Sequence, residues 1–213
     1  MKIISLSFFV ACTFLLFTSL ATAATPKSLV NEIFDTKESL EKAVRGGQWA
    51  EADKNVVVLE KQMKELVLSL NADNADGTNR KISLIAGGMH KAIAEQEDEE
   101  YEEPAHAMMT QLLNLMNSID YGKPAVFVII KRQVTEAMEL VDEAQWESLE
   151  EEMEEIVNVR SEARSSARKA GLNEDKVDVI LDLAWDISRD ADRRNGPSAK
   201  KRLERMASII DSL

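Results

Sequence analysis

The stretch GQWAEADKNVVVLEKQMKELVLSL, residues 47–70, decides how the chain folds. Trp49, Ala52, Val56, Leu59, Met63, Leu66 and Leu70 fall at alternating spacings of three and four. At 3.6 residues per turn they share one stripe of a helix, the seam of a left-handed bundle. The entry Gly47-Gln48-Trp49 returns as Ala144-Gln145-Trp146, and Trp146, Leu149, Met153 and Ile156 repeat the start of the series. A pattern recurring at a fixed period signals an internal repeat.

The flanking segments repeat as well. Val30, Ile33, Leu40 and Val44 match Phe127, Ile130, Ala137 and Val141. Ile82, Ile85, Met89 and Ala92 match Val177, Ile180, Ala184 and Ile187. Met109, Leu112, Met116 and Ile119 match Leu203, Met206, Ile210 and Leu213. In this reading the offset falls from 97 to 94 along the repeat, with the lost residues in loops, where deletions are tolerated. Helices are expected at 27–45, 48–71, 79–96, 105–120, 124–143, 145–170, 174–192 and 197–212. Gly46-Gly47 should end the first helix, and Asn71 to Thr78 reads as a polar loop. Pro104 and Pro197 should open the fourth helix of each unit, where a missing N–H costs little. Pro124 opens the second unit, and Asn173 is placed to cap the helix that follows it. The expected fold is all-α, two tandem antiparallel four-helix units with up-and-down connections. Its boundaries are 1–23 for an export signal, 24–122 for the first unit and 123–213 for the second. One merged helical array is the alternative.

The N-terminus has the layout of a signal peptide. Lys2 is followed by a largely apolar run to Leu20 and by Ala21-Thr22-Ala23, a small-x-small pattern before a cleavage point ahead of Ala24. An uncleaved membrane anchor and lipidation at Cys12 are the competing readings of this run. Cys12 is the single cysteine. Its removal leaves no thiol for disulfides, zinc, thiol catalysis or covalent haem. A net charge of -12 disfavours nucleic acid and anionic membranes as partners, and leaves cationic partners or metal ions open. The expected location is periplasmic or extracellular, with no stable membrane insertion after cleavage.

The Gly47-Gln48-Trp49-Ala50-Glu51-Ala52 entry and its partner Ala144-Gln145-Trp146-Glu147, in units of about 95 residues behind a leader, resemble the cytochrome c-prime group of four-helix-bundle cytochromes. The resemblance is architectural and covers both units. The family attaches haem through Cys-x-x-Cys-His late in its fourth helix. Here that region reads Leu115-Met116-Asn117-Ser118-Ile119-Asp120, and Ile209-Ile210-Asp211-Ser212-Leu213 in the second unit. Neither holds Cys or His, so no haem-binding residue carries over and no cofactor is expected.

Other ligand sets are thin. The histidines are His90, expected at the core edge, and His106. Glu103-Pro104-Ala105-His106 gives one Glu-x-x-His, where a di-iron bundle needs two and further inward Glu. The run from Glu95 to Glu103 carries seven acids but lacks the ligand alternation of a calcium loop. Its counterpart in the second unit is basic, with Arg189, Arg193 and Arg194 before Pro197 and Lys200, Lys201, Arg202 and Arg205 after it. Glu97, Asp98, Glu99, Glu100, Glu102, Glu103, Arg189, Arg193 and Arg194 are therefore the candidate interaction residues, complementary within one chain or between copies. Independent drift of two exposed loops explains the same contrast.

Two oddities interrupt the seams. Arg160 falls where the first unit has Met63 and is expected to snorkel to solvent. Gly87-Gly88 lies mid-helix and is expected to permit close helix packing. No nucleophile–base pair, phosphate loop or zinc pattern is present, so the chain reads as a non-enzyme. The function classes left are an exported binding or interaction protein with an unknown protein or cationic partner, a bundle holding non-covalent haem or metal, and a periplasmic stress chaperone using exposed Met-rich helices. Self-association is compatible with the first.

Overall fold

The computed structural model describes residues 24–72 and 74–213. The export signal expected at residues 1–23 lies outside the described residues. Among the described residues the chain forms nine helices and no strand. They are α1 Pro26–Arg45, α2 Trp49–Ser69, α3 Ala75–Glu95, α4 Asp98–Met116, α5 Ala125–Asp142, α6 Trp146–Asn158, α7 Arg160–Ala170, α8 Glu174–Asp192 and α9 Gly196–Asp211. No helix among them is long and apolar enough to cross a membrane.

Helix ends follow local chemistry. Thr25 caps α1 by accepting from the Ser28 N–H, with Pro26 in the first turn. Asn173 accepts from Asp175 N–H at the start of α8, and Asn195 from Ser198 N–H at α9. After α1 the N–H of Gln48 reaches the Ala43 carbonyl and that of Gly47 the Val44 carbonyl, with Gly47 left-handed at φ +64°. The turn after α5 makes the same two bonds, Gln145 to Leu140 and Ala144 to Val141, but places Ala144 at φ +56°.

α1 packs on α2, α2 on α3 and α3 on α4. In the second half α5 meets α6 and α9, while α8 meets α6 and α9, which closes a ring; α7 also lies on α8. The buried apolar side chains form one cluster running through both halves. Leu29, Val30, Ile33 and Leu40 are buried, and so are Val126, Phe127, Ile130 and Ala137, 97 positions on. Ala52, Val56 and Leu59 pair with Leu149, Met153 and Ile156 at the same spacing. Beyond them the spacing is 98: Ile82, Ala86, Met89 and Ile93 against Ile180, Ala184, Ile187 and Ala191, then Met108 and Leu112 against Met206 and Ile210. The left-handed residues that end α3 and α8, Gln96 and Arg194, are also 98 apart, so the expected fall to 94 is absent. A slip of three or four residues keeps a helix on the same stripe, so periodicity alone does not separate 94 from 98.

Three boundaries depart from expectation. α3 begins at Ala75, inside the stretch read as a loop. α4 begins at Asp98, so Pro104 sits inside the helix instead of opening it. The acidic run is made of good helix formers, and a Cβ on Gly88 of α3 would stand 3.3 Å from the Pro104 Cβ, so the bare glycine gives the ring its place. Gly87 beside it meets nothing within 4 Å, and the structure gives no reason for it. The helix expected over 145–170 breaks at Val159. An unbroken helix would carry Arg160 onto the seam; the break leaves Arg160 exposed and returns Ala163 and Ala167 to the core.

Candidate functional site

The residues singled out by charge do not come together. Glu97, Glu100, Glu102 and Glu103 are exposed on or beside the first turns of α4; of the Asp98 and Glu99 side chains nothing is described. Glu95, Glu97 and Glu100 bring carboxylate oxygens within 4.8 Å of one another, and Lys91 stands 3.3 Å from Glu95 and 3.5 Å from Glu100. Repulsion from Glu100 pushes the Glu97 carboxyl above its ordinary range. Arg189, Arg193 and Arg194 are exposed at the end of α8, with Arg189 paired to Asp186 on its own helix. No ion pair among the described residues joins the two groups. Glu102 instead lies near Glu151 of α6, whose carboxyl is raised by burial first and by Glu102 among other acids, against Arg45.

The histidines stay out of the interior core. His90 Nδ1 lies 2.6 Å from Asp53 Oδ1, and His106 is exposed, as is Glu103 of the Glu-x-x-His match. Met63, Met89, Met108, Met116, Met153 and Met206 are buried, so these methionines fill space and offer no exposed surface for a client.

The chemically unusual place is where α1, α5 and α6 meet. Lys37, Gln133 and Glu152 are buried there. Val30, Lys37 and Val44 occupy one position of successive heptads, so α1 aims Lys37 inward along with its apolar neighbours. Its ammonium lies 2.8 Å from Glu41 one turn on, and 3.9 Å from Glu155 on α6. Gln133 of α5 donates to Glu155 at 2.8 Å. Arg132, beside it, donates to Glu136 at 3.2 Å, pairs with Asp35 and covers the Phe34 ring at 5.2 Å. α6 then adds Glu152, 8% exposed, whose Oε1 has no hydrogen-bond partner; Gln133 Oε1 has none either.

A cavity of about 20 Å³ opens beside these groups, lined by Glu38, Glu41, Glu136, Glu139, Glu143, Glu152, Leu140, Lys42 and Arg45. A second cleft of about 340 Å³ continues along α1 and α5 past Phe34 and Arg132 and shares Glu38, Glu136 and Glu139. Burial pushes the Glu152 carboxyl well above its ordinary range; Lys37 opposes this, while Glu155, Glu136 and Glu41 add to it. Burial likewise raises Glu41 and Glu136, in each case against Lys37. Burial works against the Lys37 ammonium, but Glu41, Glu155 and Glu152 outweigh it and push its pKa up. Tyr101 reaches in from α4, raised first by burial and then by Glu41. The core of this site sets Glu41, Glu136, Glu152 and Glu155 against Lys37 and Arg132, with Glu155 partly open to water and the other three acids largely covered.

Sequence reasoning missed this site. Lys37 carried a usable signal, a cation at a heptad position of an otherwise apolar seam. Glu152 is one of several acids flanking Met153 in the sequence, and nothing local sets it apart. Comparison of the chain with protein-family models, with curated proteins and with solved structures finds no match.

Proposed function

We propose that the chain is an exported, non-catalytic binding protein made of two tandem antiparallel four-helix units, and that its ligand is cationic and enters the cleft between α1 and α5. One observation carries this reading: Glu152 is buried with an unpartnered carboxyl oxygen, and it lines a cavity whose walls hold five further glutamates against Lys42 and Arg45. Burial raises the Glu152 carboxyl, and a bound cation would favour its charged form in place of the proton. The net charge of -12 draws cations toward the whole surface, and the constant 97–98 spacing of buried positions supports the duplication. Export rests on the Lys2 to Ala23 pattern.

Isothermal titration of the purified protein against divalent metal salts, spermidine and an arginine-rich peptide tests it. Saturable binding of at least one class is expected, weakened tenfold or more by Glu136→Gln. Absence of binding by all three classes sinks the reading. A second reading, capture of an amphipathic partner, draws on Val57 and Leu68 of α2 and Leu84 of α3, which are 55%, 64% and 79% exposed. Suppression of client aggregation that is lost in Leu84→Ser would select it.

A further inference from the structure

We infer that the protein associates with copies of itself, α8 of one copy seating Trp185 over Gly87 on the outer face of α3 in the next. Single exposed apolar residues are ordinary on a protein surface, and here it is their position that joins them. Gly87 and Trp185 stand 98 apart, the spacing at which α3 and α8 bury matching residues. At one outward position the first half therefore has a gap and the second a knob. A Cβ on Gly87 would meet nothing within 4 Å, so no neighbour in its own chain calls for a glycine, although glycine weakens a helix interior. Trp49 and Trp146 pack on the core, whereas Trp185 stands outside it and is 51% exposed. α3 and α8 do not pack on each other within the chain, so both faces are open to a second molecule.

The residues around the gap and the knob match in charge. Arg80, Leu84, Gly87 and Lys91 lie three or four residues apart, and so do Asp182, Trp185, Arg189 and Asp192; all are exposed. Each set is one stripe of its helix. With Trp185 over Gly87 and the helices antiparallel, Asp192 lies opposite Arg80, each seven residues from the contact, and Asp182 lies opposite Lys91. The stem of Arg189 then covers Leu84, which is 79% exposed. Lys91 and Arg189 keep partners on their own chain, Glu95 at 3.3 Å and Asp186, whereas Arg80, Asp182 and Asp192 make no ion pair with any described residue. Parallel helices would instead set Lys91 against Arg189, which disfavours them. Glu95 and Asp178 approach at the far end, each already answered, by Lys91 and by Arg164 at 2.6 Å. The net charge of -12 repels copies over the rest of the surface, so the opposed charges on these faces direct the contact. Because every chain carries both faces, contact runs head to tail and either closes into a ring or extends.

Sedimentation velocity of the purified protein, from micromolar to millimolar concentration, tests this. The parent should associate weakly, because the contact is smaller than the roughly 800 Å² per partner of a stable complex. Gly87→Met fills the gap and should raise the melting temperature while weakening association at least tenfold, a combination that misfolding does not produce. Trp185→Ala should weaken association as much. Mixed in equal amounts, the two variants should recover association as pairs that do not grow, because one supplies the knob and the other the gap. Arg80→Asp should weaken association, and Asp192→Arg in the same chain should restore it. A parent that stays monomeric at every concentration overturns the inference, and client aggregation suppressed by that monomer but not by Leu84→Ser gives the α3 face to a foreign chain. Association unchanged in both Gly87→Met and Trp185→Ala places the contact elsewhere and also overturns it. Loss in both variants with no recovery on mixing overturns the pairing of α8 with α3. The cationic-ligand reading stands or falls separately, on the titrations above.

Discussion

Lys37 of α1 and Val134 of α5 occupy the same place in their helices, 97 positions apart, and both are buried. Val134 lies among apolar neighbours in a half whose four long helices close on one another. Lys37 lies where α1 meets α6, against acids supplied mostly by the other half. α1 and α5 bury matching apolar positions, and of the buried polar residues Lys37, Gln133 and Glu152 gather between α1, α5 and α6 while Asp190 pairs with Arg202 between α8 and α9. A position that is interchangeable by pattern is therefore not interchangeable by environment.

Exchanging the two residues' roles tests this most severely. Lys37→Met leaves Glu41, Glu152 and Glu155 without their ammonium and should cost about 3–5 kcal/mol, the range for removing one partner of a buried ion pair. Val134→Met should cost less than about 1.5 kcal/mol if its surroundings relax as apolar cores do. Urea unfolding of both variants reads the contrast, and equal losses would erase it.

The next effect is electrostatic. Glu152→Gln removes a carboxyl that burial raises, while Lys37 keeps Glu41 and Glu155, and should change stability at neutral pH by less than Lys37→Met does. The sign of the pH dependence follows from the raised carboxyls of Glu41, Glu136 and Glu152. A carboxyl whose folded pKa exceeds its unfolded value binds its proton preferentially in the folded state. Its contribution is complete below the unfolded value of about 4.5 and is lost as pH rises through the folded pKa. Glu60, Glu174 and Asp211 are shifted the other way; Glu174 and Asp211 are exposed and count for little, and Glu60, held by Lys64 and Ser83, offsets the decline only in part. Unfolding free energy should therefore decline from pH 5 toward pH 8, and Glu152→Gln should flatten the decline. A profile that rises with pH in this window would contradict the placement of these acids.

The smallest contrast is between the matching turns at Gly47 and Ala144. Both residues are left-handed, and only glycine adopts that conformation without cost. Ala144→Gly should stabilise by about 1 kcal/mol and Gly47→Ala should destabilise by a similar amount. A Cβ on Gly47 meets nothing within 4 Å, so the change there is purely conformational. Thermal unfolding of the two single variants resolves it.

Most of the fold was legible because it rests on periodicity and caps. The stripes of Trp49 to Leu70 and of Val30 to Val44 and the Asn173 cap need no tertiary information. Two of the three misread boundaries depended on the rest of the chain. Pro104 is tolerated inside α4 because Gly88 of α3 leaves space, and α6 breaks because Arg160 cannot enter the seam. The site was illegible for the same reason. Glu41, Glu136 and Glu152 belong to three helices, and in sequence each is one acid among 38. Charge runs drew attention to exposed residues, whereas the consequential charges are isolated ones folded inward.

The Lys37–Glu155 pair has a consequence for assembly. A copy of the second half placed where the first belongs would present Val134 to Glu155 and leave the acids unanswered, while a first half from another molecule would present Lys37 correctly. The pair thus distinguishes α1 from α5 as a neighbour for α6, although the two helices bury matching apolar positions.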